Sequence, residues 1–105
     1  MKNIKTEMFA NYGSRTKEEI SEDIDKLCDQ VWYNRHLNLK RAIADGIETV
    51  DPKIWQEALQ AAEDVRAKYL ALELGPWTDF EWGMINGKLS ALRWALGSEW
   101  DDLDT

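Results

Sequence analysis

The sequence predicts an all-α protein, a small bundle of three main helices running up-down-up, with a short N-terminal arm and an acidic C-terminal tail. Three observations carry this. Apolar residues recur at steps of three and four along three stretches. Start and stop signals frame each stretch: Thr16 with Glu19 and Thr78 with Glu81 are capping boxes, Asp51-Pro52 is a helix start, and Gly46, Gly75 and Gly97 stand at the far ends. Alternating β-branched runs, low-complexity segments and internal repeats are all missing from the 105 residues. A chain of this length with 44% hydrophobic residues is one domain, 1–105, able to build a core without disulfide or metal staples.

The arm, residues 1–15, places Ile4, Met8 and Tyr12 on one face of a short helix with Phe9 beside them, and Asn11 to Ser14 reads as a break. It is expected to pack on the bundle or to wait for a partner. The first helix spans Lys17–Asp45. Ile20, Ile24, Leu27 and Val31 form its seam, with Cys28 alongside. Continuing that seam would bury Asn34 and Asn38, so the apolar positions are expected to shift to Trp32, Leu39, Ala42 and Ile43 through a bend or stutter near Asn34.

The second helix, Pro52–Leu74, has Asp51 as its cap and proline in its first position. Trp55, Ala58, Ala62, Val65, Tyr69 and Leu72 follow on one face, widened by Leu59 and Ala61. Gly75-Pro76 is the expected stop.

The third helix, Asp79–Leu96, has two apolar faces. Trp82, Ile85, Leu89, Leu92 and Leu96 make one arc of large side chains. Phe80, Gly83, Met84, Gly87, Ala91, Trp94 and Ala95 lie on the opposite side. Gly83, Gly87 and Ala91 stand four apart, so they line a shallow groove that another backbone can approach. Each glycine inside a helix costs about 1 kcal/mol relative to alanine, so two of them call for a reason. Two readings follow. Either the helix is central and both faces are internal, or the second face is left for a partner, a second copy of the chain included.

The net charge of −7 falls entirely in residues 48–105, with five basic and twelve acidic residues, whereas residues 1–47 carry eight of each. Direct nucleic-acid binding is disfavoured, since phosphate contacts need a basic face. A protein partner with a basic surface is the electrostatic complement. Trp100, Asp101, Asp102 and Asp104 in the tail, residues 98–105, would steer towards it, either as an exposed acidic-aromatic segment or as one last helical turn capped by Ser98. No stretch reaches membrane length, and the start, Met1 to Lys5, lacks the apolar run of a signal peptide, so a cytoplasmic location is expected.

Little in the chain points to chemistry. The one cysteine, Cys28, excludes an internal disulfide and reads as a buried filler. His36, flanked by Arg35, Lys40 and Arg41, reads as a surface or helix-junction residue. No phosphate-binding loop or zinc motif is present, and no cofactor or metal is implied.

Glu19 and Glu22, then Glu48 and Asp51, repeat a three-residue spacing. In these four residues alone the chain resembles helical nucleotide pyrophosphohydrolases of the MazG type. That resemblance implies a magnesium-dependent hydrolase, although Glu48 and Asp51 fall in a loop and at a cap rather than within a helix facing the first pair. The leading expectation is a non-catalytic interaction module, adaptor or inhibitor, in the manner of small acidic phage or mobile-element proteins that block a host nucleic-acid-binding protein. A metal-dependent hydrolase and a structural subunit of a larger assembly are the alternatives.

Overall fold

The computed structural model describes residues 13–100. They form a small all-α bundle: α1 (Lys17–Ala44), α2 (Pro52–Lys68), a single 3-10 turn (Ala71–Glu73) and α3 (Asp79–Ala95), with no strand among the described residues. Residues 1–12 of the arm and the acids Asp101, Asp102 and Asp104 lie outside the described residues.

The capping chemistry sets the helix starts. Thr16 Oγ1 accepts the Glu19 amide at 3.1 Å while the Glu19 carboxylate accepts the Thr16 amide at 3.1 Å, and Thr78 and Glu81 repeat the arrangement. Asp51 Oδ1 accepts from the amides of Lys53 and Ile54, and Pro52 gives up no hydrogen bond in the first turn. Both α1 and α3 end on a glycine with positive φ. Gly46 (φ 73°) and Gly97 (φ 110°) let the following amides, Ile47 and Ser98, turn back to the carbonyls of Ala42 and Arg93.

α1 is the wall that both other helices share. Its first half buries Leu27 and Val31 against Ile85 and Leu89 of α3, with Ile24, Cys28, Trp77, Trp82 and Leu92 at the margin. Its second half buries Tyr33 against Ala62 and Val65 of α2 and Leu74 of the following segment, with Leu37 and Tyr69 beside them.

Three expectations need correction. α1 runs unbroken through Asn34 and Asn38, because its second half turns Tyr33, His36 and Leu37 inward. Trp32, expected in that role, is exposed, and Asn38 faces out. His36 is only 5% exposed, not a surface residue. The second helix stops at Lys68, six residues before Leu74. Tyr69 is extended there (φ −128°, ψ 157°), which lets its hydroxyl donate to Asp29 at 2.6 Å and drops Leu74 into the core. Leu72, expected on the buried stripe, is exposed. Two contacts to α1 fasten this segment: Lys26 pairs with Glu73 at 3.0 Å, and buried Gln30 donates to the Glu73 carbonyl at 2.7 Å.

Candidate functional site

The capping box of Thr78 fixes the phase of α3, and Leu89, wholly buried, anchors its inward arc on α1. The rest follows from 100° per residue. Phe80, Gly83, Met84, Gly87, Ala91, Trp94 and Ala95 all fall outside the inward arc and are exposed, with Phe80, Met84 and Ala91 bordering clefts shared with Leu27 and Gln30 of α1. Among the described residues none covers this outward face.

The face has a floor and walls. Among the described residues nothing beyond the local helix backbone comes within 4 Å of the Cβ positions of Gly83 and Gly87, so the floor is open backbone. Phe80 (76% exposed), Met84 (47%) and Trp94 (53%) rise around it, and Asp79, Lys88 and Ala91 complete the groove. Trp94 meets Trp100 edge to face, with ring centroids 5.0 Å apart. Trp100 is itself 61% exposed. Groups this apolar are ordinarily scattered singly on a surface; here they are contiguous along one helix.

The carboxylates behind the hydrolase alternative are not brought together. Glu19 sits in the first turn of α1 and Glu48 beyond its end, separated by a 28-residue helix about 40 Å long. The Glu19 carboxylate is engaged by the Thr16 amide and by Arg15 at 3.3 Å, and these contacts hold it below the usual carboxylate range. Asp51 is occupied as a cap. Among the described residues no three His, Cys, Asp or Glu side chains cluster as metal ligands would. No described helix is long and apolar enough to cross a membrane.

Cys28 lies half-buried on the α1 seam as expected, in a cleft of about 160 Å³ shared with Val31, Trp32, Arg35, Leu89 and Arg93. The Arg93 guanidinium donates to its sulfur at 3.6 Å.

His36 has a role that the sequence reading missed. Its imidazole stacks between Trp32 (5.1 Å, 13°) and Trp55 of α2 (5.2 Å, 21°). Burial, with Lys40 and Arg66 nearby, pushes its pKa below the usual imidazole value. The available signal was the Trp32–His36 spacing of one helical turn, which puts the rings on one face. Nearby, the Tyr33 hydroxyl accepts from Arg66 at 3.1 Å, and Arg66 also pairs with Glu63. Tyr69 is pushed up to about 12, first by burial, then by its hydrogen bond to Asp29 and the surrounding carboxylates.

A scan of protein-family models finds no match to this chain, and searches of curated proteins and of solved structures return no similar protein.

Proposed function

We propose that this protein is a non-catalytic interaction module, an adaptor or inhibitor that works by occupying a surface on another protein with the outward face of α3. One observation supports the reading: the whole face, from Phe80 to Trp94, is exposed although it carries some of the largest apolar side chains in the chain. Burying such surface is favourable by about 25 cal/mol per Å², and aromatic anchors beside a flat floor are where interface energy concentrates. Residues 77–105 carry six acids and two bases, so a partner with a basic surface is favoured at long range.

The test is affinity capture with the wild type and with Trp94→Ala, each at low and moderate salt. Trp94 is half exposed, so its removal leaves the fold intact. Partner retention should fall with Trp94→Ala and weaken as salt rises. Equal retention by both proteins would sink the reading.

A further inference from the structure

The outward face of α3 is arranged symmetrically about Gly87. Gly83 and Ala91 stand four residues to either side of it, and Phe80 and Trp94 seven to either side. On a helical wheel these four lie within about 40° of the direction of Gly87. In an isologous interface the same patch serves both copies, and a twofold axis at Gly87 pairs each position of the helix with the one equally far on its other side. With the axis perpendicular to α3 at Gly87, the glycine meets its own copy, Gly83 meets Ala91, and Phe80 meets Trp94. Small residues fall against small ones at the centre, and an aromatic pair closes each end.

Resting on the reading that this face is a contact surface, we propose that a second copy of the chain occupies it, as an antiparallel α3–α3 pair with its twofold axis at Gly87. The glycine floor lets the two helices approach at the near end of the usual 8–10 Å range of axial separation. The exposed parts of Phe80, Met84, Trp94 and Trp100, with the floor, offer roughly 600 Å² per copy. Two such faces bury about 1,200 Å², the lower bound of stable specific interfaces. Each copy carries a net charge of −7, so self-association strengthens with salt, the opposite of binding to a basic partner.

The experiment is sedimentation equilibrium on the full chain across micromolar to millimolar concentrations at two salt concentrations. The wild type should show a monomer–dimer equilibrium that shifts to dimer with salt. Gly87→Leu places a side chain where no other described part of the chain comes within 4 Å of the Cβ position, so it should keep the helical circular dichroism and thermal midpoint of the wild type. At the axis it meets its own copy and should weaken the dimer about a hundredfold.

Orientation is read separately. In a Cys28→Ala background, Phe80→Cys mixed with Trp94→Cys should form an intermolecular disulfide in a glutathione redox buffer more readily than either alone, since like positions lie about 20 Å apart in an antiparallel pair. A wild type monomeric throughout, a Gly87→Leu chain as dimeric as wild type, or preferential like-with-like cross-linking would each overturn the proposal. A monomeric wild type that still captures a partner through Trp94 overturns the second copy alone and leaves the interaction reading standing.

Discussion

The two halves of α1 carry two different kinds of core. The first half meets α3 through aliphatic side chains, Leu27 and Val31 against Ile85 and Leu89. The second half meets α2 and its trailing segment through Tyr33, Ala62, Val65 and Leu74, with directional contacts from Arg66 to Tyr33 and the stacked imidazole of His36. The same trailing segment reaches back to α1 beside Leu27 and Val31, Tyr69 to Asp29 and Gln30 to Glu73. Volume holds the first. The second is held by volume together with the register and protonation of named groups. Apolar packing responds to side-chain truncation and little to pH, whereas a hydrogen-bonded and stacked cluster responds to both.

The largest effect should come from the aliphatic half. Leu89→Ala removes a wholly buried side chain at the α1–α3 contact and should cost about 3–5 kcal/mol by urea titration. A loss below about 1 kcal/mol would mean that α3 is not held by this cluster. Next is the link between the two halves. Gly75 has φ +90°, and a Cβ there would stand 3.1 Å from the Trp77 indole nitrogen, so Gly75→Ala should destabilise by about 2 kcal/mol in the same titration.

The directional half predicts smaller changes with a distinctive pH signature. Tyr69→Phe deletes the hydrogen bond to Asp29 and should cost about 1–2 kcal/mol at neutral pH. Above the ordinary phenol value of 10.0 the unfolded chain releases a proton that the folded chain keeps. That stabilisation is complete below 10.0 and is lost as pH rises through about 12; Tyr69→Phe should lack this alkaline loss.

His36 gives the smallest effect and the opposite sign. Its lowered pKa means that the folded chain binds fewer protons than the unfolded one as pH falls below 6.5. Stability from neutral His36 is therefore present above 6.5 and declines as the solution is acidified through the folded value. Thermal melts between neutral and mildly acidic pH should show a flatter profile for His36→Phe, which keeps a ring between Trp32 and Trp55. Parallel profiles for the two proteins would remove His36 from the pH response.

The contrast also governs what the sequence made legible. The aliphatic half was readable: Leu27 and Val31 on the α1 seam, Ile85 and Leu89 on the inner arc of α3, both capping boxes and the stops at Gly46 and Gly97 follow from periodicity and local hydrogen bonding. So did the partition of α3 into two faces, except at Leu96, expected on the inner arc and exposed at the helix end. The end of α2 was not readable, because Tyr69 and Leu72 continue a helical stripe and the helix stops for a long-range reason, the bond from Tyr69 to Asp29 forty residues away. His36 was misread for the same cause. Its basic neighbours speak only against a bound cation, while the ring that buries it comes from Trp55 on another helix. Local patterns report local energies, and the polar tertiary contacts here are outside their range.

The perpendicular pair of Trp94 and Trp100 has a further consequence. Two indoles with centroids 5.0 Å apart and planes at 82° form a coupled chromophore. Excitation shared between them splits the aromatic far-ultraviolet band into a couplet whose sign and amplitude follow the angle between the rings. The chain thus carries an optical gauge at the end of α3, where the outward face gives way to the acidic C-terminal stretch. Any molecule that seats against Trp94 and tilts it relative to Trp100 rewrites that couplet without an added label.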